Sequence, residues 1–206
     1  MLRRRVQGYA SVRIATLTIA VAIVGCGSNE PKQDQKSGPA TGSTAAAPGV
    51  TGPLCDVLPA GDDPGAPASL TGDPADVALQ WIPVVTTFEA AMRASGLARE
   101  LHGTRGVTIL APTDDAFTAA FDRQRLDDLL LSRRRELRGV LERHMVDGVM
   151  SLSDLLDADS VTTLSGDTVK VRRAGGMARF GDRATTVCAD YRAANAAIHV
   201  IDGVLP

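Results

Sequence analysis

Val107-Thr108-Ile109-Leu110-Ala111-Pro112-Thr113-Asp114-Asp115-Ala116-Phe117 carries a strand, a stop and a helix start within eleven residues. Val107 to Ala111 is branched and apolar with no charge, the composition of a buried strand. Pro112 lacks the backbone donor that a strand interior needs, and it ends the run. Thr113, Asp114 and Asp115 then place short acceptor side chains where a new helix exposes unpaired amides, just ahead of Ala116 and Phe117. The stretch therefore reads as a buried strand running straight into a short helix.

Upstream, Asp73-Pro74 marks a helix start and Pro83 a second one, proline being tolerated in a first helical turn. Val84, Val85, Phe88, Ala91 and Met92 recur at three- and four-residue spacing before Gly96, so an amphipathic helix ending at that glycine is expected. Downstream, helical patterns cover Leu126 to Leu131 and Ser132 to Arg143. Short strand-like pieces follow at Val161 to Leu164, Thr168 to Arg173, Met177 to Phe180, Thr185 to Cys188 and Ala197 to Ile201. Helices first and strands later favour an α+β fold over a doubly wound sheet.

The 206-residue chain divides into three parts. Residues 1–25 combine Arg3, Arg4, Arg5 and Arg13 with the uncharged run Ile14 to Val24, which is too short for a membrane span of about 20 residues. They read as a signal peptide, and Ile23-Val24-Gly25-Cys26 resembles the bacterial lipobox, which assigns the lipid attachment to Cys26. The alternative is an ordinary secretory signal with a cysteine close to its end. Residues 26–53 form the lipidated cysteine and a Gly-, Pro-, Ser- and Thr-rich tether that cannot bury enough surface to offset chain entropy. As a flexible coil it spans about 30 Å. Residues 54–206 are one domain's worth of chain, with no internal repeat.

Without residues 1–25 the chain has 18 Lys plus Arg against 24 Asp plus Glu, a net charge of −6. That balance argues against a nucleic-acid partner and leaves membrane association to the anchor. With Cys26 assigned to lipid, Cys55 and Cys188 remain as a pair in an oxidising compartment, and a disulfide is expected. The alternative, free or metal-binding thiols, lacks a nearby His or Cys cluster to complete a site.

Three segments carry a family resemblance. Val107 to Phe117 and Asn195 to Pro206, NAAIHVIDGVLP, resemble the two signature segments of the fasciclin domain, and Leu141 to Val149, LERHMVDGV, resembles the segment between them. With the leading helices the likeness covers about residues 69–206. It is nearest to the secreted and lipid-anchored fasciclin surface antigens of mycobacteria and related actinobacteria, which also place one cysteine ahead of the domain and one before the last signature, as Cys55 and Cys188 stand here. The resemblance implies a single wedge of mainly antiparallel strands with helices against one edge, and a non-enzymatic role in adhesion to a protein, cell-wall or matrix partner at the outer face of the membrane. Three departures limit the carry-over. Arg143 precedes His144 where many animal members have a tyrosine, Arg138-Gly139 is followed by Val140 and so makes no Arg-Gly-Asp triplet, and one domain without a second copy is expected.

Few side chains suggest chemistry. No Gly-x-Ser-x-Gly elbow, Walker loop or His-Glu-x-x-His is present, so no catalytic residue, cofactor or metal is assigned. His144 and His199 lie in or beside strand-like runs, where hydrogen bonding inside the fold is the commoner role. Asp202 before Gly203 reads as a turn former, and of Asp114 and Asp115 one caps and one is solvated. The densest charge is Arg133, Arg134, Arg135, Arg138 and Arg143, interleaved with Leu137, Val140 and Leu141 at helical spacing and diluted by Glu136 and Glu142. Arg134, Arg138, Arg143 and His144 are the candidate interaction surface, set against the plainer reading of a solvated helix face. A second function class is a small-molecule or lipid carrier, which requires an apolar cavity of about 300 Å³ or more. A third is a spacer with no saturable partner.

Overall fold

A computed structural model describes residues 49–103 and 106–206. Residues 1–25, read above as a signal peptide, Cys26 and nearly all of the segment read as a tether lie outside the described residues. The tether's last residues do not behave as a tether. Val50 is buried, and Thr51 exchanges backbone hydrogen bonds with Ala189 at 2.8 and 3.1 Å, so the fold begins at least four residues before Leu54. Gly52 passes so close to the Val187 carbonyl that a Cβ would overlap it, which no local signal announces.

The strands are β1 (Val107–Pro112), β2 (Met145–Asp147), β3 (Ser160–Thr162), β4 (Thr168–Ala174), β5 (Met177–Phe180), β6 (Ala184–Ala193) and β7 (Ala196–Ile201). They form one sheet in the order β2-β1-β7-β6-β5-β4-β3, antiparallel except for the β1 and β7 pair. Its two edges meet: Val146 of β2 bridges Thr163 just beyond β3, and Leu164 N donates to Met145 O at 2.7 Å. The sheet thus curls into a barrel-like wedge, the α+β architecture expected.

The helices are α1 (Ala75–Ala78), α2 (Thr86–Ser95), α3 (Leu97–Leu101), α4 (Asp114–Ala120), α5 (Arg123–Leu131), α6 (Arg134–Glu142) and α7 (Leu152–Asp157). Gly96 ends α2 with φ 87°, a conformation glycine adopts without strain. Thr113 caps α4 through its hydroxyl, which accepts from Ala116 N at 3.1 Å. Two expectations shift. The helix expected from Pro83 begins three residues later, at Thr86, and α7 was not foreseen, although Ser151 and Asp154 form a full capping box around it.

The parallel pair explains the first signature. Every residue of β1 and β7 is buried. Alternation there sorts side chains between two cores instead of between core and water. Val107, Ile109 and Ala111 of β1, with Ala196, Ile198 and Val200 of β7, pack against α2 to α6. Leu110 and Ile201 point the other way, into the barrel with Val146, Leu155, Val171 and Phe180. A strand walled in on both sides carries apolar residues or polar ones hydrogen-bonded inside, as Thr108 and His199 are, which is why its sequence shows a nearly continuous apolar run.

Cys55 and Cys188 are bonded, with S–S 2.03 Å and Cα atoms 5.1 Å apart. The bridge fastens the 3₁₀ turn Cys55–Val57 onto β6 and closes a loop of 133 residues.

Candidate functional site

Most polar residues of the three signature segments fasten one part of the fold to another. Asp114 accepts from Thr87 N at 2.6 Å and from the Thr86 hydroxyl at 2.9 Å, so the first signature caps α2, whose own N-cap residue, Val85, has no side chain suited to the task. Asp115 is exposed. Asn195 accepts from Ala75 N at 2.9 Å and donates to Leu101 O at 2.6 Å, joining the start of α1 to the end of α3. Asp202 accepts from Thr185 N at 2.7 Å. Gly203 lies against the Arg183 carbonyl so closely that a Cβ would overlap it, which accounts for glycine at that position.

Both signature histidines are buried and neutral. His144 Nε2 accepts from Leu205 N at 2.9 Å, so Nδ1 carries the proton and donates to Val140 O at 2.7 Å. Burial, opposed by that backbone bond and assisted by the charge of Arg143, pushes its pKa down to about 4. His199 accepts from Asp190 N through Nδ1 at 3.3 Å and donates from Nε2 to Met150 O at 2.9 Å, and burial lowers its pKa as well. Thr108 binds the same segment, donating to Gly148 O at 2.7 Å and accepting from Met150 N at 2.8 Å. The two signature strands thus grip one short stretch, residues 148–150, between them. Among the described residues no buried side-chain nitrogen or oxygen lacks a partner, and no cluster suited to a metal ion is present.

The candidate surface is therefore corrected at one residue: His144, at 0% exposure, presents nothing to a partner. The other candidate residues, Arg134 and Arg138 on α6 and Arg143 just after it, all have partners. Arg138 sends Nη1 and Nη2 to the two oxygens of Glu100 at 2.6 and 2.7 Å and Nε to Glu142 at 2.8 Å, so its whole fork is engaged. These bonds hold the Glu100 carboxyl below its ordinary range and raise the guanidinium. Arg134 donates to Ala94 O at 3.1 Å, Arg143 lies 3.4 Å from Asp167, and Arg133 and Arg125 share Glu136. Much of what reads in sequence as a block of positive charge is a network joining α6 to α3, α5 and the turn before β4, while Arg135 stays exposed outside it.

A groove of about 670 Å³ lies beside the disulfide, lined by Leu54, Pro83, Val84, Ala116 and Val187 and by Asp114, Asp115 and Asp202. It is open to solvent and lies outside both cores.

A closed seven-stranded wedge with helices packed on it, fastened by polar residues of three segments, defines the class of fold. The fasciclin domain profile matches residues 83–206, and the chain belongs to that family. Protein sll1483 of Synechocystis is 32% identical over 58% of this chain and 66% of its own length. Transforming growth factor-beta-induced protein ig-h3 of the pig is 33% identical over 61% of this chain, but only 19% of its own length is covered. Among solved structures, a FAS1 domain pair from the insect cell adhesion molecule fasciclin I superposes with a TM-score of 0.59 at 17% identity, covering 65% of this chain and 51% of that one. This last likeness speaks for the fold.

Proposed function

We propose that this protein is a non-enzymatic interaction domain displayed outside the cell membrane, held there by lipid on Cys26 and set off from the bilayer by the segment before Val50. This reading places it with the secreted and lipid-anchored fasciclin proteins of actinobacteria. The observation that carries it is the commitment of the signature polar residues to internal hydrogen bonds: Asp114, His144, Asn195, His199 and Asp202 all fasten the fold, which leaves recognition to the surface. Adhesion fits relatives such as ig-h3 and the insect cell adhesion molecule. No helix among the described residues is long and apolar enough to cross a membrane.

Cells expressing the full chain should bind immobilised cell-wall or matrix fractions saturably, and cells expressing Cys26→Ser should shed the protein and lose that binding. Retention of Cys26→Ser in the membrane fraction would sink the anchor, and absence of saturable binding to any fraction would sink the interaction role. The 670 Å³ groove favours a second reading, a carrier of an amphipathic small molecule, because its lining is largely apolar and its size is adequate. Native mass spectrometry of the purified protein decides that reading: a stoichiometric bound mass lost in Ala116→Phe would establish it.

A further inference from the structure

The strand hairpin β4 and β5 carries a second group of cations, with fewer acids among them than the arginines of α6 have. Between Thr168 and Arg183 the chain has Lys170, Arg172, Arg173, Arg179 and Arg183 against a single acid, Asp182. Val171, Ala178 and Phe180 point into the barrel, and Lys170, Arg172 and Arg179 alternate with them on the exposed face. Arg172 stands directly across from Arg179 in the antiparallel register. Like charges placed opposite one another destabilise a sheet, so this pair works against folding. The one ion pair found there, Arg172 with Asp182, is at 4.0 Å between side chains that are 64% and 87% exposed. Alongside runs a groove of about 400 Å³ bordered by Lys170, Arg172 and Arg183.

We propose that this face binds a linear anionic polysaccharide, with Lys170, Arg172, Arg179 and Arg183 contacting successive carboxylate or sulfate groups. Neighbouring strands stand about 4.8 Å apart and alternate residues on a strand about 6.8 Å apart, so the cations form a ladder suited to a repeating charge along an extended polymer. Arginine forks match such oxyanions two bonds at a time. The same face fits other anions less well. Phe180, the hairpin's aromatic residue, is buried and offers no platform for stacking a base. The tip, Gly175-Gly176, carries no apolar side chain to enter a bilayer. This inference rests on the interaction reading above and names the partner's chemistry.

The test measures binding of the Cys26→Ser chain, which has no lipid of its own to enter a bilayer, to dextran sulfate and to polygalacturonate over a series of salt concentrations, with neutral dextran, a single-stranded oligonucleotide and phosphatidylglycerol vesicles as comparisons. Binding to both acidic polymers and not to dextran is expected. Arg172→Gln with Arg179→Gln should weaken it roughly tenfold, about a factor of three per charge, and flatten its salt dependence. The melting temperature of that variant should hold or rise, since a repulsive pair is removed. If that variant unfolds, Lys170→Gln with Arg183→Gln gives the same readout. No binding to either polymer, unchanged affinity in the hairpin variants, equal loss in Arg134→Gln with Arg135→Gln, or equal affinity for the oligonucleotide or vesicles would overturn the proposal. If the hairpin variants leave binding to wall and matrix fractions intact, the polysaccharide site fails while the interaction role stands.

Discussion

The parallel pair β1 and β7 and the hairpin β4 and β5 belong to one sheet but meet different surroundings. The pair is buried along its whole length between two cores, and even its polar residues, Thr108 and His199, are hydrogen-bonded inside. The hairpin has one face on the barrel interior and the other in water, where basic side chains stand opposite each other. The first region holds the molecule together, and its sequence admits little besides apolar residues and fasteners. The second has exposed positions free of packing and even carries an unfavourable pair. Residues under the least structural constraint are those left for recognition, and in this molecule they cluster on the hairpin.

Reduction of the disulfide should have the largest effect. Cys55 to Cys188 closes a loop of 133 residues, and chain entropy gives such a closure about 5 kcal/mol before strain. Chemical denaturation with and without reductant should show a loss of about 2 to 5 kcal/mol, and no loss would mean that residues 50–58 do not help hold the wedge. Next, Ile198→Ala in β7 should cost about 3 to 4 kcal/mol, being fully buried against the helices. Val171→Ala on the hairpin should cost about 1 to 2 kcal/mol. Equal costs would erase the contrast between the two regions, whereas hydrogen exchange that is slowest in β1 and β7 would sharpen it.

A third prediction concerns pH. Both signature histidines bind protons more weakly folded than unfolded, so the unfolded chain takes up more protons as pH falls. For His144 the stabilisation is complete above about pH 6.5 and is lost as pH falls toward about 4, at about 1.4 kcal/mol per pH unit. The melting temperature should therefore drop between pH 7 and 5, and His144→Gln should flatten that drop. An identical pH profile in the variant would show that the histidine is not held neutral. Gly203→Ala should cost about 1 to 3 kcal/mol by forcing β7's end away from the Arg183 carbonyl, read as a lowered denaturation midpoint. The smallest effect belongs to Arg138→Ala, at most about 1 kcal/mol, since its ion pairs are exposed and screened by salt. A larger loss would make the α6 network structural to a degree that surface pairs seldom reach.

How much was legible from the residues varied with the range of the interaction. Gly96, Thr113 and the apolar run before Pro112 act on their immediate neighbours, and their effects follow from local chemistry. The start of α2 was misplaced because its cap, Asp114, arrives from a residue 27 positions ahead of Thr87. The ion pairs of the arginine helix are not legible locally, because Glu100 and Asp167, which pair with Arg138 and Arg143, are distant in sequence. The hairpin's cations drew no notice because they alternate with Val171, Ala178 and Phe180 and never form a block.

Sequence by itself determined the fold class, the family likeness of three segments and the fall of the main helices and strands. Those follow from periodicity, turn residues and caps, which are properties of adjacent positions. Only the tertiary structure decided that β1 and β7 run parallel between two cores, that the sheet's edges meet at Val146 and Thr163, and that His144 is interior while Arg172 faces Arg179 in water. Burial, pairing and register depend on which distant residues share a neighbourhood, and linear order alone does not specify that.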